Sequence, residues 1–344
     1  MRPEKGKYTL AEILSQPEAW ADALAILNSN KSLILDIDPA RRYDHIIYTG
    51  CGSTYYLAMA AASLTQELTG RISRAFPASE LWLYPTSSYS AEKTLLVAIS
   101  RSGETTETLK ACQAFLSAGR GDLLTLSCYA DMPLAKLGKF NIIFPSGQER
   151  SVAQTRAFST LSLATIALAC LWAGRVELFD SLPRLSESGR RILKDYASLA
   201  AQLGREQTLE RFYWLGSGPR QGLACELSLK MKEMSLTHSE PFHFMEFRHG
   251  PKSMVTPHTL VVGLRSSVNG KYESAVLDNV KALGGQILDL AEDGSLVRFN
   301  SGLAEPIQNV LYLPVGQLIA FERALSKGLD PDRPTNLDTV VKLS

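Results

Sequence analysis

The sequence has 344 residues, 45% hydrophobic and 21% charged, enough chain for one large core or two of ordinary domain size. Its 36 basic residues against 35 acidic ones leave a formal net charge of +1, so no overall field draws it to nucleic acid or an anionic membrane, and a small ligand is the expected partner. The cysteines, Cys51, Cys112, Cys128, Cys170 and Cys225, are odd in number, scattered and without a CxxC pair, which fits reduced thiols rather than a disulfide frame.

Met1 to Leu10 is polar, and no later apolar run reaches the roughly 20 residues of a bilayer span, so a soluble cytoplasmic protein with no membrane partner is expected. Tyr8 to Leu27 has helical spacing and gives a helical lead-in over 1–43. His45 to Thr49 then reads as a short apolar strand, Gly50, Cys51 and Gly52 as a turn, and Thr54 to Leu68 as a helix. The same order recurs at Thr94 to Ile99, which runs through Ser100 to Thr106 into a helix from about Glu107; further strands are expected at Leu123 to Leu126 and Asn141 to Phe144. Strands alternating with helices imply a parallel sheet covered on both faces, so 44–175 is read as an α/β domain.

Val152 to Trp172 and Leu182 to Leu203 read as two longer helices, the region 176–205 serving as a helical linker. Arg211 to Leu215, Gly216 to Gly218 and Gln221 to Leu236 then repeat strand, turn and helix at a spacing of roughly 165 residues, an internal duplication that makes 206–328 a second α/β domain. Its strands are expected at Thr259 to Leu264, Gln286 to Leu290 and Val310 to Leu313, and its helices at Tyr272 to Leu283 and Gly316 to Lys327. The tail 329–344, with Pro331 and Pro334, cannot be helical at its prolines and is expected to lie against a domain face.

In an open parallel sheet, ligands bind beyond the carboxyl ends of the strands, where loops feed helix N-termini. Ser100 to Thr106 sits at such a place: unpaired N–H groups and the helix dipole suit a dianion, Ser100, Ser102, Thr105 and Thr106 add hydroxyls, Gly103 permits close approach, and Arg101 adds charge. The competing reading is that Ser102 or Thr105 simply caps the helix. The loop lacks the ending of a nucleotide-binding loop, and Gly50-Cys51-Gly52 lacks dinucleotide-fold spacing, so nucleotides are disfavoured. No histidine pair has the spacing of zinc ligands, and no cofactor is expected.

The strings TGCGSTYYLA (Thr49 to Ala58), ISRSGETTET (Ile99 to Thr108), SVAQTRAFST (Ser151 to Thr160), LSLKMKEMSLTHSE (Leu227 to Glu240) and EFRHGPKSMV (Glu246 to Val255) resemble the sugar isomerase (SIS) domain proteins. The likeness is to those with two such domains, as in the isomerase part of glucosamine-6-phosphate synthase. It implies two SIS domains, each a flavodoxin-like α-β-α sandwich. It also implies that Cys51, Gly52, Thr54, Ser100, Arg101, Ser102, Gly103 and Thr105 surround the phosphate of a sugar lined by Ser53, Val152 and Gln154. Glu233 is implied as the base moving a proton between C1 and C2, with Lys230 nearby, and His249 as the ring-opening group, supplied by the neighbouring subunit of a homodimer. Aldose–ketose interconversion needs such a carboxylate and such an acid or base in any case. From the residues alone, Glu233 beside Lys230 and Lys232 reads first as a solvated charge pair, His249 before Gly250 as the end of a turn, and His238 and His243 as structural or surface groups.

Three departures matter. The synthases carry a glutaminase domain and, near the C-terminus, a Schiff-base lysine; this chain reaches its first expected strand by about residue 45 and has Asn336, Leu337, Asp338 and Thr339 at the lysine string, with Lys342 three residues on. Arg101 replaces the synthases' glutamine. TLAEILSQPEAW (Thr9 to Trp20) and RHGPKSMV resemble the glutaminase-free relatives, so the expected activity is an amino-sugar-6-phosphate deaminase or aldose–ketose isomerase. A fructosamine-6-phosphate deglycase and a non-catalytic sugar-phosphate sensor are the alternatives.

Overall fold

A computed structural model describes residues 5–89, 93–338 and 340–341. The described strands form two five-stranded sheets. The first contains β1 (His45–Gly50), β2 (Ser73–Pro77), β3 (Thr94–Ser100), β4 (Gly121–Ser127) and β5 (Phe140–Ile143), in the order β2-β1-β3-β4-β5. The second contains β6 (Arg211–Leu215), β7 (His238–Phe242), β8 (Thr259–Leu264), β9 (Gln286–Ala291) and β10 (Val297–Arg298), in the order β10-β9-β8-β6-β7. Every ladder is parallel. Read from its other edge, the second order is the first repeated, as the internal duplication requires.

Both central strands are uninterrupted apolar runs because both of their faces are covered: each residue of β3 and of β8 is buried. Side chains alternate between the faces. In the first sheet Ile47, Leu96, Ala98 and Leu123 meet Leu81, Ala111 and Phe115 of helices Ala78–Leu83 and Thr106–Ser117. On the opposite face Tyr48 reaches helix Ser53–Thr69, its hydroxyl 2.8 Å from that of Thr65. The second sheet repeats this, with Tyr213, Leu215 and Val261 packed on Phe244, Phe247, Val276 and Val280. Trp214 lies on the other side, close to Gly316 of helix Leu313–Ser326.

Four strand assignments change. β2 (SRAFP) and β7 (HSEPF) carry no apolar run and contain proline, yet they pair as edge strands in matching positions, where proline is tolerated. Val310 to Leu313, expected as a strand, is a 3-10 turn (Asn309–Tyr312) entering helix Leu313–Ser326; a short run buried on every side looks the same in either conformation. The last strand of that sheet is the short Val297–Arg298.

Contacts divide the chain into two compact units: Glu18–Glu149, Arg156–Pro183 and Asp338–Ser344 around the first sheet, and Met1–Pro17, Arg150–Thr155 and Arg184–Leu337 around the second. In the second-sheet unit, Thr9 donates through both its amide and its hydroxyl to Asp332 at 2.7 Å, and Tyr8 through its amide at 3.1 Å. The non-helical tail thus supplies the missing cap of helix Lys7–Leu14. From that helix the buried Glu12 accepts the amides of Arg150 (2.6 Å) and Ser151 (3.3 Å) and the Ser151 hydroxyl. Asp332 also accepts the Val152 amide through its carbonyl at 3.2 Å.

Removing the Glu12 carboxylate would take the acceptor from the buried Ser151 amide and the part-buried Arg150 amide, and leave the Ser151 hydroxyl to the Ala153 carbonyl. Glu12→Ala is expected to lower unfolding free energy by on the order of 3 kcal/mol, since an unsatisfied buried polar group costs about 1–3 kcal/mol. Glu12→Gln, which keeps one acceptor oxygen, is expected to recover part of this, read from urea midpoints at an unchanged slope.

Candidate functional site

β1 and β3 are neighbours in register, Thr49 facing Ala98, so the loops that leave them emerge side by side at the carboxyl edge of the first sheet. At the first loop a Cβ on Gly50 would lie 2.5 Å from the Thr54 hydroxyl and 2.7 Å from its backbone carbon, and Gly52 has φ 54°; both positions need glycine. The Thr54 hydroxyl accepts from the Cys51 amide and donates to the Cys51 carbonyl, both at 3.0 Å, which fixes the turn. The Cys51 sulfur lies 3.4 Å from the Thr108 hydroxyl of the next helix, tying the two loops together. Ser53 and Thr54 are buried in the first turn of their helix.

The second loop contains more donors than the chain can satisfy. Ser100 Oγ accepts from the Gly103 amide (3.1 Å) and Ser102 Oγ from the Glu104 amide (3.2 Å), so each hydroxyl has spent a lone pair and keeps its proton to give. Gly103 takes the positive φ, 71°, that this turn needs. Thr105 stands at the N-cap of helix Thr106–Ser117 and makes no side-chain cap bond. Among the described residues, no acceptor meets the Ser102 or Thr105 amide. The serines therefore build the turn instead of capping the helix, and the remaining donors converge where the dipole favours an anion.

Arg101 points elsewhere. It is buried and ion-paired with the buried Glu149 at 3.3 Å, so its charge is balanced within the protein. The two flank a cavity of about 150 Å³ shared with Ser102, Glu104, Tyr129, Met132 and Val340. The tail returns here, the Thr106 amide meeting the Val341 carbonyl at 3.5 Å. Thr339 and Lys342, which bear on the missing Schiff-base lysine, lie outside the described residues.

The other site residues belong to the second-sheet unit. On helix Arg220–Ser235 the spacing of Glu226, Lys230 and Glu233 puts all three on one face. Lys230 is fully buried, its ammonium 2.5 Å from Glu233 and 3.3 Å from Glu226; Glu226 is also fully buried, whereas the Glu233 side chain keeps 19% of its exposure. This is no solvated charge pair; of the two lysines only Lys232 faces water. Burial alone would lower the Lys230 pKa, but the two carboxylates outweigh it and hold the value above that of a free lysine. Glu233 is thus a carboxylate fixed at a surface by a cation beneath it.

Val152 and Gln154 sit on the segment anchored by Glu12 and Asp332; the Gln154 side-chain oxygen is buried without a protein partner. His249 is exposed at the end of helix Phe244–Phe247, its amide bonded to the Glu246 carbonyl at 2.9 Å. His238 and His243 are exposed as well. Sequence reasoning missed Glu226 and Glu149. The first was legible four residues before Lys230 on the same helix; the second, 48 residues from Arg101, had no local signal. No group of described residues could hold a metal ion, and no described helix is long and apolar enough to cross a membrane.

Residues 41–171 match the family model of the SIS domain. The chain is 29% identical over 349 residues to the glutamine–fructose-6-phosphate aminotransferase (isomerizing) of Thermococcus kodakarensis, a match covering 96% of this chain and 57% of that protein. It therefore spans little more than half the length of the curated relatives that it matches. Among solved structures it is similar to glucosamine-6-phosphate deaminase of Thermotoga maritima, with a TM-score of 0.84 and 25% identity over 98% of this chain and 100% of that one. The tagatose-6-phosphate ketose/aldose isomerase of Escherichia coli superposes with a TM-score of 0.86 at 22% identity over 96% of each chain, a likeness of fold.

Two outcomes follow from these environments. Burial pushes the thiols of Cys51 and Cys225 up to about 11 and those of Cys112 and Cys170 up to about 12. Folded protein at pH 8 is accordingly expected to react with iodoacetamide far more slowly than urea-unfolded chain, read by mass spectrometry of the labelled cysteines. Lys230→Met, which leaves the buried Glu226 carboxylate without its counter-ion and close to Glu233, is expected to lower the unfolding free energy by about 3–5 kcal/mol, checked by urea denaturation.

Proposed function

We propose, for a chain that carries a SIS domain over residues 41–171, that it binds a hexose phosphate and catalyses proton transfer between C1 and C2 as an amino-sugar-6-phosphate deaminase or aldose–ketose isomerase. The observation that carries the reading is the donor surplus of the Ser100–Thr105 loop: amides of Ser102 and Thr105 and hydroxyls of Ser100 and Ser102, at a helix N-terminus and without an acceptor among the described residues. A phosphate ester supplies the oxygens that such a set requires. In this reading the phosphate is held by neutral donors, because Arg101 is already paired with Glu149.

Glu233 takes the proton from C2 of the opened amino sugar and returns it to C1, which converts the amino aldose into a ketose imine. Water adds to the C2 imine and ammonia leaves, so amino-sugar phosphate and water give ketose phosphate and ammonia. With a hydroxyl on C2 the same transfer passes through an enediol and is a simple isomerisation. Lys230, 2.5 Å from the Glu233 carboxylate, orients it. His249 is assigned to ring opening, contributed by the second copy of a homodimer. Similarity to the Thermotoga maritima deaminase supports the amino sugar as substrate.

Pure protein incubated with glucosamine-6-phosphate, galactosamine-6-phosphate and the corresponding ketose phosphates is expected to release ketose and ammonia from an amino sugar. Ketose–aldose exchange without ammonia identifies the isomerase, and binding without turnover of any of them overturns the enzyme assignment. Glu233→Gln is expected to lower kcat by about 10²–10⁴-fold, the usual worth of a general base, with substrate binding retained by calorimetry. Ser102→Ala, which removes one hydroxyl donor of the Ser100–Thr105 loop, is expected to raise KM much more than it lowers kcat.

A further inference from the structure

The second-sheet unit contains the same two loops. Gly216-Ser217-Gly218 follows β6 as Gly50-Cys51-Gly52 follows β1; Gly218 and Gly52 have φ 58° and 54°. A Cβ on Gly216 would lie 2.3 Å from the Arg220 carbonyl, just as one on Gly50 would strike Thr54. Arg220 therefore occupies the position of Thr54. Likewise Arg265–Asn269, between β8 and helix Gly270–Ala282, corresponds to Arg101–Thr105 between β3 and its helix. Ser266 Oγ accepts from the Val268 amide at 3.0 Å as Ser102 Oγ does from that of Glu104.

Here the donors are met, and by the protein itself. One oxygen of Glu305 accepts from Arg220 (2.7 Å) and the Ser266 hydroxyl (2.8 Å), and the other from the amides of Ser267 (2.6 Å) and Val268 (3.1 Å). Glu273 accepts the Ser266 amide at 2.5 Å and lies 3.8 Å from Arg220. Arg220 is 5% exposed, and its Nε is buried without an acceptor. Burial works against ionising Glu305, but Arg220 and the hydrogen bonds hold its pKa below the ordinary value, while burial raises that of Glu273. The guanidinium is thus paired with Glu305 at 2.7 Å and more distantly with Glu273 at 3.8 Å, and Glu305 sits where an outside anion would.

We infer that the loop after β8 is a second oxyanion cradle, built on the plan of the loop after β3 and closed from within by the Glu305 carboxylate acting as a resident ligand. Without that carboxylate the site holds a buried guanidinium, a hydroxyl and two amides, while Glu273 remains 3.8 Å from the guanidinium and accepts the Ser266 amide; the freed donors make a receptor for a small tetrahedral oxyanion. The inference stands on the second-sheet unit alone and does not need the first loop to bind a sugar phosphate.

Glu305→Ala and Glu305→Gln in the full chain, with inorganic phosphate as the probe, test it. Both variants are expected to melt below the parent in phosphate-free buffer and to gain more in melting temperature than the parent when phosphate is added. In equilibrium dialysis with radiolabelled phosphate, Glu305→Ala is expected to take up one further phosphate per chain, and Arg220→Met in that background to abolish the extra uptake. Because parent uptake is subtracted, binding at the first loop does not enter the result. Equal uptake by parent and variants overturns the inference, and so does a Glu305→Ala chain that stays unfolded in phosphate while Glu305→Gln folds without a phosphate-dependent rise.

Discussion

A parallel sheet covered on both faces leaves one kind of backbone group unpaid by regular structure: the first N–H groups of each helix that follows a strand, gathered at the carboxyl edge. β3 and β8 are buried along their whole length, so the loops after them have no freedom to turn these donors away. In the second-sheet unit a carboxylate, Glu305, meets them. In the first, serine oxygens shape the turn and the outward donors have no partner among the described residues. The contrast between two copies of one plan separates a loop satisfied from within from one whose donors stay open among the described residues.

Buried charge follows the same logic. Arg101 with Glu149, Lys230 with Glu226 and Glu233, and Arg220 with Glu305 and Glu273 each place a cation in the interior beside carboxylates. Such pairs return little net stability, because desolvation offsets most of the attraction. What each contributes is a fixed position: the Arg101 pair closes one side of the loop cavity, Lys230 holds a carboxylate at the surface, and Arg220 seats Glu305 in its cradle. In the Lys230 group the second carboxylate, Glu226, lets the ammonium stay charged with no exposure at all.

Much of the fold was legible because its signals are local. Apolar runs such as TLLVAIS and TLVVGL, bounded by turn residues, read as strands buried on both faces, and the glycines of Gly50-Cys51-Gly52 and Gly216-Ser217-Gly218 mark turns that no side chain fits. β2 and β7 were not legible, since SRAFP and HSEPF gain their conformation from the neighbouring edge and not from their own pattern. Val310 to Leu313 misled for the opposite reason, being apolar enough for a strand but buried within a turn. Arg101 read as a charge for an anion; only its partner, 48 residues away, shows that this charge is already balanced.

The sequence by itself determined the two α/β repeats, the glycine turns, the hydroxyl-rich loop and the helical spacing that puts Glu226, Lys230 and Glu233 on one face, because each depends on residues a few positions apart. Tertiary structure decided which of those groups are satisfied: that Glu12 and Asp332 anchor the segment 150–155, that Glu149 neutralises Arg101, and that Glu305 fills one cradle while the other keeps its donors. The reason is that a hydrogen bond or ion pair between distant segments exists only once folding has brought them within about 3 Å and removed the water that would otherwise satisfy each group alone.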